Sequence, residues 1–492
     1  MKNPAIYQIY LRSFQDSNGD GIGDLNGVRR RLATIRELGF DAIWLSPFYP
    51  SPQKDYGYDV ANYCDVDPVY GSLADFDALL AEAHVLGLAV LIDFVLNHTS
   101  DQHPWFQEAR HPDSPKRDWY VWRSEANSWP SFFGGPAWTL DPLSGQYYLH
   151  HFLPEQPDLN YRNPEVQEAI LEIARFWFAR GVDGLRLDAV WLLFEDPLFR
   201  DEFPNPAWVG EVPSDWLEGP GVYDPEENHL FLARLRQVAR QAGDKLLLGE
   251  IWLPDVMLQR YYGTQQAPEL QASFNFRFLL AARTFAQAEE LIEAAESHLA
   301  MVPAQGMPMW VLGNHDVPRL AASVGEEMAR TLALAILTLP GALTWYMGDE
   351  LALPDGPLLA IDPNGREVCR TPYPWDNSQN CGFSEGQPWL AIPESHRALN
   401  LARAQSQSDS LYHLLKTGLE LRAAWRDFSY QRIAAPAGIW AYSRGPYQIY
   451  INLSQEVFPL PAGEVLLTTR PGDISLPPGA AAVISLSGEN PY

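Results

Sequence analysis

The sequence predicts an α/β fold: a (β/α)8 barrel with an inserted loop-rich domain after its third strand and a C-terminal antiparallel β domain. Short β-rich runs alternate with helical stretches from residue 5 onward, and this alternation is typical of βαβ units in a parallel sheet. Eight runs occur, the number that a closed barrel requires. They are Ala5–Phe14, Phe40–Phe48, Leu88–His98, Val182–Val190, Leu246–Trp252, Ser273–Phe278, Met309–Asp316 and Leu343–Met347.

Helical periodicity and a change of composition set the predicted domain limits. Helices are predicted at Leu25–Leu38, Ala74–Leu86, Pro164–Arg180 and near Ser410–Ala424. From residue 99 to about 162 the chain is rich in Trp, Pro, His and Tyr without a helical period, and a long irregular insertion usually carries function. The tail consists of short β segments broken by Pro and Gly. We therefore predict a barrel over 1–98 and 164–424, an inserted domain over 99–163 and a β domain over 425–492.

The charge balance is strongly acidic. The 492 residues include 62 acidic and 35 basic side chains, which gives a formal charge of −27. Such an excess repels nucleic acid and anionic membranes, so a small neutral ligand is the expected partner. No apolar run reaches the roughly 18 residues of a membrane helix, and three distant cysteines (Cys64, Cys369 and Cys381) do not form a disulfide framework. We expect a cytoplasmic protein; the sequence leaves open whether it is a monomer or a homo-oligomer.

Four stretches end in polar residues where an apolar strand would otherwise continue. They are DFVLNH at Asp93–His98, GLRLD at Gly184–Asp188, GEIW at Gly249–Trp252 and VLGNHD at Val311–Asp316. Because the carboxyl ends of barrel strands meet at one face, these residues predict an active site there. Its candidate groups are Asp188, Glu250, Asp316, Arg186, His98 and His315. Paired carboxylates suit glycosidic bond hydrolysis better than phosphate or redox chemistry.

These four stretches resemble signature regions of glycoside hydrolase family 13, the α-amylase superfamily, and the resemblance is nearest to its α-glucosidase branch. A fifth stretch, QPDLN at Gln156–Asn160, is similar to the version in oligo-1,6-glucosidase-like members. The resemblance implies a retaining, exo-acting α-glucosidase that releases glucose from the non-reducing end of maltose and short α-1,4-glucosides through a covalent glucosyl-enzyme. It further implies a small neutral oligosaccharide as substrate, transglucosylation as a side activity and no organic cofactor.

The resemblance also implies a role for each matching residue. Asp188 matches the nucleophile, Glu250 the general acid/base, and Asp316 the third acid, which holds the sugar's hydroxyls. The implied sugar-binding residues are Asp55, Tyr58, His98, Phe133, Phe152, Arg186, Ala189, His315 and Arg366, with Arg370 as an open alternative to Arg366. Arg186 precedes Asp188 by two residues on the same strand face, so it is expected to keep Asp188 ionised, whereas Glu250 must hold a proton.

The segment DSNGDGIGD at Asp16–Asp24 resembles a metal loop of α-glucosidase relatives. Its predicted ligand positions are Asp16, Asn18, Asp20, Ile22 and Asp24. Oxygen donors at this spacing open a calcium loop. The twelfth position is Gly27, where an EF-hand has a bidentate Glu, so the loop is not an EF-hand. We expect one structural Ca²⁺ or Mg²⁺ here, far from the chemistry.

The residue after the implied nucleophile bears on which bond is cleaved. In the family, alanine or threonine there accompanies α-1,4 preference and valine accompanies α-1,6 preference, so Ala189 favours maltose. The QPDLN stretch also occurs in 1,6-active members, and oligo-1,6-glucosidase or sucrose hydrolase stay as alternatives. Isomerases are less favoured, because VPRLAAS stands where isomaltulose-forming members have RLDRD and AVWLL where trehalose-forming members have AVPYL. A non-catalytic subunit is less favoured too, since every acid is present. Trp191 departs from the asparagine common in α-glucosidases.

Overall fold

Eight short parallel strands, almost entirely buried, form the central sheet. They are β1 (Ala5–Ile9), β2 (Ala42–Leu45), β3 (Ala89–Val95), β4 (Gly184–Asp188), β5 (Leu246–Gly249), β6 (Ala272–Ser273), β7 (Met309–Trp310) and β8 (Ala342–Tyr346). Their order in the sheet is β6-β5-β4-β3-β2-β1-β8-β7. Hydrogen bonds from Asn275 N to Met309 O (3.2 Å) and from Met307 N to Gln271 O (2.8 Å) join the two ends. The sheet therefore closes, and the predicted barrel is confirmed. This computed structural model describes residues 1–201, 203–204, 217–218, 224–284, 288–358, 365–470, 472 and 475–486.

Alternate residues of each strand enter two different apolar cores, because successive side chains of a strand point to opposite faces. Ile6, Trp44, Leu91 and Leu248 belong to the apolar cluster inside the barrel. Their neighbours Tyr7, Ile43, Ile92 and Leu247 belong to the larger cluster between strands and helices. Both faces of every strand are thus buried, which explains why the strands read as continuous apolar runs.

The main helices follow the strands and cover the barrel. Their bounds are Leu25–Leu38, Leu73–Val85, Pro164–Ala179, Glu226–Gln241, Phe276–Thr284, Ala288–Met301, Leu320–Thr338 and Leu411–Trp425, with shorter helices at Pro104–Ala109, Asp255–Leu258, Glu394–Ala398 and Leu401–Ser406. The first begins after Asp24, whose side chain accepts a hydrogen bond from Gly27 N, as an N-cap does. It ends at Gly39 with a φ of 110°, where a Cβ would meet Leu419 Cβ at 2.9 Å.

Several predicted strands are too long, and one is partly wrong in type. The aromatic run Ser273–Phe278 predicted a strand, but the strand ends at Ser273 and a helix begins at Phe276. Asn275 explains the change, since its side chain accepts a hydrogen bond from Phe278 N at 2.9 Å and so satisfies one of the amides at the start of the helix. β7 ends at Trp310 rather than at Asp316, so the acid at the end of that stretch stands on a loop.

Antiparallel strands occur in the predicted inserted domain and in the C-terminal region. In the former, Gln146–Leu149 pairs with both Trp122–Arg123 and Trp138–Asp141. The C-terminal sheet contains, in order, Tyr430–Arg432, Ile439–Arg444, Tyr447–Asn452, Ala481–Ser485 and Glu464–Thr468. Two-residue strands pair Phe458–Pro459 with Ser475–Leu476 and Phe203–Pro204 with Leu217–Glu218. The exact domain limits stay predictions. Within the described ranges, no helix combines the length and apolar character needed to cross a membrane.

Candidate active site

A cavity of about 280 Å³ opens at the carboxyl ends of the barrel strands. All three predicted catalytic acids line it, together with seven of the predicted sugar-binding residues. These ten residues are Asp188, Glu250, Asp316, Asp55, Tyr58, His98, Phe133, Phe152, Ala189 and Arg366. Residues from distant parts of the sequence therefore meet here, as expected for the face where the strands end.

Arg186 connects the carboxylates from behind the cavity. Its Nη1 donates to Asp188 Oδ1 at 2.7 Å and to Asp93 Oδ1 at 2.8 Å, and its Nη2 lies 2.6 Å from Glu250 Oε2. The register of the sheet brings these groups together, because Asp93 on β3 is directly opposite Arg186 on β4. One buried guanidinium thus orients both predicted catalytic carboxyls.

The charges around Arg186 do not balance if every carboxyl is ionised. Burial raises the pKa of Asp188, and Glu250 and Asp93 raise it further, against the opposing effect of Arg186. Burial also raises the pKa of Asp93 to about 6. Since one cation faces three carboxyls, a proton held within the group reduces their mutual repulsion. Arg186 makes the predicted contact with Asp188, but burial works against ionisation of that acid.

Glu250 is fixed by three donors. Besides Arg186, Trp252 Nε1 donates to its Oε1 at 3.1 Å and Ala189 N donates to its Oε2 at 3.3 Å. The backbone of Ala189 is left-handed, with φ 45° and ψ 37°. A non-glycine residue in this region is uncommon and often marks a functional site.

Asp316 lies between two arginines that the sequence left as alternatives. Arg370 Nη2 donates to Asp316 Oδ1 at 2.8 Å, and Arg366 Nη1 donates to the same oxygen at 3.2 Å. Arg366 lines the cavity, whereas Arg370 is 1% exposed and also donates to His315 O. Burial would raise the pKa of Asp316, but His315, Arg370 and Arg366 lower it well below its usual range. Arg366 is therefore the arginine positioned to reach a ligand.

His315 lies behind the cavity wall rather than on it. Its ring stacks on that of Tyr58, 5.4 Å between centroids, and its Nε2 is 2.7 Å from Tyr58 OH. Gln8 Nε2 is 2.8 Å from its Nδ1. Burial lowers the pKa of His315 to about 3, against the opposing effect of the neighbouring Asp316 carboxylate.

Polar and aromatic contacts join several residues of the cavity wall. Arg366 Nη2 donates to Asp55 Oδ1 at 2.5 Å. Gln156 Nε2 donates to Asp55 Oδ2 at 3.2 Å and lies 3.1 Å from His98 Nε2. Phe133 lies under the Arg366 guanidinium at 4.6 Å, and Phe152 packs against His98 at 5.2 Å. Residues that are far apart in the sequence thus form one wall of the cavity.

Some lining residues were not among the predicted site residues. They are Phe132, Gln156, Trp191, Trp252 and Val317, and buried Asp93 supports the site from behind. The sequence did contain signals for Asp93, Gln156 and Trp252, because Asp93 opens DFVLNH, Gln156 opens QPDLN and Trp252 closes GEIW. Phe132 and Val317 carried no such signal, because an aromatic or aliphatic residue in a loop can equally well contribute to packing alone.

The loop at Asp16–Asp24 is held by its own side chains. Asp16 accepts hydrogen bonds from Asn18 N, Gly19 N and Gly21 N. These bonds and that from Ser384 outweigh burial and lower the pKa of Asp16. Its donor set, all oxygen, fits a hard cation such as Ca²⁺. Across the described ranges, however, no group of three or more His, Cys, Asp or Glu side chains is arranged to hold a metal.

The fold and this site define a class: an enzyme that holds a sugar against paired carboxyls at the mouth of a (β/α)8 barrel. Comparison with known proteins specifies the family. The catalytic domain of α-amylase matches residues 8–430. A probable α-glucosidase of Rhizobium meliloti (strain 1021) is 42% identical over 463 residues, which covers 86% of this chain and 82% of that protein. The chain therefore belongs to the α-amylase family and is a glycoside hydrolase.

Solved structures of related enzymes agree over nearly the whole length. The crystal structure of the α-glucosyl transfer enzyme XgtA matches with a TM-score of 0.90 and 37% identity, covering 98% of this chain and 99% of that one. The trehalulose synthase MutB from Pseudomonas mesoacidophila MX-45 matches with a TM-score of 0.89 and 31% identity, covering 98% of each chain. Enzymes that share this fold thus include a glucosyl transfer enzyme and a trehalulose synthase.

Proposed function

We propose that the protein is a retaining, exo-acting α-glucosidase that releases glucose from the non-reducing end of maltose and short α-1,4-glucosides. The observation that carries the proposal is the cavity itself, in which hydrogen bonds join Asp55 to Gln156 and Arg366 and which both predicted catalytic carboxyls also line. In this proposal Asp55, Gln156 and Arg366 close the cavity behind the terminal glucose, and the rest of the substrate extends toward the opening.

The chemistry proceeds in two steps. Asp188 attacks the anomeric carbon while Glu250 gives its proton to the leaving oxygen; water, deprotonated by Glu250, then cleaves the glucosyl-enzyme. Retaining enzymes place the two carboxyls roughly 5–5.5 Å apart. In support, Asp188 and Glu250 both bind the guanidinium of Arg186, at 2.7 Å and 2.6 Å. Another hydroxyl can replace water in the second step, which accounts for transglucosylation as a side activity.

Asp316 and Arg366 hold the hydroxyls of the terminal glucose in this proposal. The lowered pKa of Asp316 keeps it an acceptor, while the guanidinium of Arg366 is a donor. Tyr58 and Phe152 offer ring faces for the apolar side of the sugar. The small Ala189 next to the nucleophile leaves room for an α-1,4-linked substrate.

The product pattern of a labelled oligosaccharide tests exo action. Maltotetraose carrying a fluorescent label at its reducing end should first yield free glucose and labelled maltotriose. Asp188→Asn, which keeps the size of the side chain, should yield neither. Labelled maltose or labelled glucose appearing together with labelled maltotriose would show cleavage inside the chain and overturn exo action. Turnover of isomaltose or sucrose faster than maltose would keep the mechanism and replace the α-1,4 preference.

We also propose that the Asp16–Asp24 loop binds one structural Ca²⁺ or Mg²⁺ through oxygen donors. The support is the oxygen-only donor set and the ionised state that the lowered pKa of Asp16 indicates.

A further inference from the structure

Asn228 is a buried polar residue that contacts the turn after Asp188 without lining the active-site cavity. It lies in the first turn of the helix Glu226–Gln241, which precedes β5. Its side-chain nitrogen Nδ2 donates a hydrogen bond to Val190 O at 3.2 Å. Because a carbonyl oxygen can only accept, this contact fixes the orientation of the Asn228 amide. A helix outside the cavity thus binds the backbone two residues beyond the proposed nucleophile.

The turn that Asn228 contacts carries two features of the active site. Ala189 begins the turn in a left-handed conformation, and its backbone N–H donates to Glu250 Oε2 at 3.3 Å. A left-handed alanine persists only where the surrounding structure holds it. Trp191, in the same turn, lines the cavity. A displacement of Val190 O would therefore disturb both a donor to the proposed acid/base and a residue of the cavity wall.

Tyr261 binds the same amide from a second loop. Its hydroxyl oxygen lies 3.2 Å from Asn228 Nδ2, and it belongs to the segment that follows β5. The ring of Tyr261 packs edge-on against that of His229, with 4.9 Å between the ring centroids. An amide nitrogen has two N–H groups, and here each has an acceptor. The side chain of Asn228 therefore joins the loop after β4 to the loop after β5.

Ion pairs fix the start of the helix that carries Asn228. The next residue, His229, is buried, with Nδ1 2.8 Å from Glu269 Oε2 and Nε2 3.0 Å from Asp224 Oδ1. Burial lowers the pKa of His229, but hydrogen bonds to the two carboxylates outweigh it and raise the pKa to about 9. The ring is therefore a cation at neutral pH. Arg260 adds a second ion pair to Asp224 at 2.6 Å, so charge holds this helix end against the loop after β5.

The other polar atom of the Asn228 amide is unpaired. Its Oδ1 is buried and meets no hydrogen-bond partner among the residues that the structure describes. An unpaired buried oxygen lowers the free energy of unfolding, and an apolar side chain of the same size would avoid that cost. The contribution of the amide is therefore its donor, which faces Val190 O.

We propose that Asn228 is a positioning residue for the catalytic carboxyls, acting through the backbone of the turn after Asp188. The inference rests on the proposed glucosidase reaction. The residues proposed to hold the terminal glucose lie on other loops, so loss of the Asn228 contact should leave substrate binding nearly intact. It should slow the chemical step, because a small displacement of a reacting group has a large effect on rate.

Initial rates on maltose test the positioning role. Asn228→Leu keeps the size of the side chain but removes the donor. Its kcat should fall about tenfold or more, while KM stays close to that of the parent, as expected when an interaction acts only in the transition state. Asn228→Ala, which demands less space in the packed site, should change kcat in the same direction and decides the question if Asn228→Leu does not fold.

Asn452→Leu is the matched control. Asn452 is also buried and donates from Nδ2 to two backbone carbonyls, Glu456 O at 2.7 Å and Leu476 O at 2.8 Å, but it belongs to the C-terminal sheet. Well below its Tm, this variant should keep the kcat and KM of the parent.

Three results would overturn the positioning role of Asn228. They are an unchanged kcat in the folded Asn228 variants, a rise of KM in place of a fall of kcat, and an equal fall of kcat in Asn452→Leu. Failure of the parent enzyme to release glucose from maltose would overturn the proposed function, and this inference with it.

Discussion

Arg186 illustrates how one residue orders a whole site. It is buried, and its guanidinium binds Asp93, Asp188 and Glu250. Removal of such a group would leave three carboxyls close together without a counter-charge, which is far more costly than loss of a surface ion pair. The residue therefore acts on the reaction through the position and ionisation of its neighbours.

Ala189 is the residue on which the proposed bond preference depends. It lies next to Asp188, the proposed nucleophile, lines the cavity and has a φ of 45°. Ala189→Val should lower the ratio of maltose to isomaltose turnover, because the added methyl groups occupy space beside Asp188. It should also destabilise the fold by about 1 to 2 kcal/mol, since a left-handed backbone is unfavourable for a β-branched residue. Initial rates on both disaccharides and a denaturant titration measure the two effects.

Ala352→Val separates these effects. Ala352 has nearly the same backbone, with φ 52° and ψ 39°, but does not line the active-site cavity. This variant should lose stability to a similar extent and keep the parent ratio of the two substrates. An unchanged ratio in Ala189→Val would contradict the role given to Ala189.

At this scale the sequence predicted which residues meet but not how each is oriented. Polar residues at strand ends sufficed to place Asp188, Glu250 and Asp316 together, because barrel geometry brings those ends to one face. The orientation of His315 toward Tyr58, and the positions of Arg366 in the cavity and Arg370 behind it, depend on loop packing between residues far apart in sequence. No local pattern contains that information.

Among the elements, the loop Asp16–Asp24 combines two structural tasks. Asp24 caps the helix Leu25–Leu38 through Gly27 N, and its other oxygen accepts from Ser17 N. Asn18 and Asp20 each accept the amide two residues further on. The loop is thus ordered by its own hydrogen bonds, and a cation would add to this order by drawing the same oxygens together.

Metal removal tests the proposed cation. Chelation with EDTA should lower the Tm by a few degrees, and added Ca²⁺ or Mg²⁺ should restore it, because a ligand bound only by the folded state stabilises that state. Asp20→Ala should abolish the response. Asp376→Ala is the control, since Asp376 makes a similar turn with Ser378 N outside the loop, and it should respond to EDTA like the parent. An unchanged Tm of the parent in EDTA would contradict the metal.

The elements themselves were predicted better than their ends. The helix Leu25–Leu38 begins and ends as predicted, because Asp24 and Gly39 are cap residues with clear local signals. The aromatic run Ser273–Phe278 was wrongly predicted to be a strand throughout, since aromatic residues favour strands on average. Asn275 instead begins a helix within this run. The predicted strands also extended too far at the active site, because apolar residues continue past the last hydrogen bond between neighbouring strands.

For the whole molecule, the barrel supplies a rigid rim on which loops from distant parts of the chain can meet. Asp55, His98, Glu250 and Arg366 follow different elements, yet all line one cavity. The acidic surface, with a formal charge of −27, does not hinder a neutral oligosaccharide. The alternation of strands and helices made this architecture predictable, whereas the lining of the active-site cavity depends on side-chain packing that only the structure reveals.

The central claim is that Asp188 forms a covalent bond to glucose and that configuration is retained. Proton NMR during the first minutes of maltose hydrolysis measures it most directly, because α-glucose and β-glucose have separate anomeric signals. The account predicts α-glucose as the first product from the non-reducing residue, and no product above background from Asp188→Asn. β-Glucose as the first product, or unchanged turnover by Asp188→Asn, would contradict it.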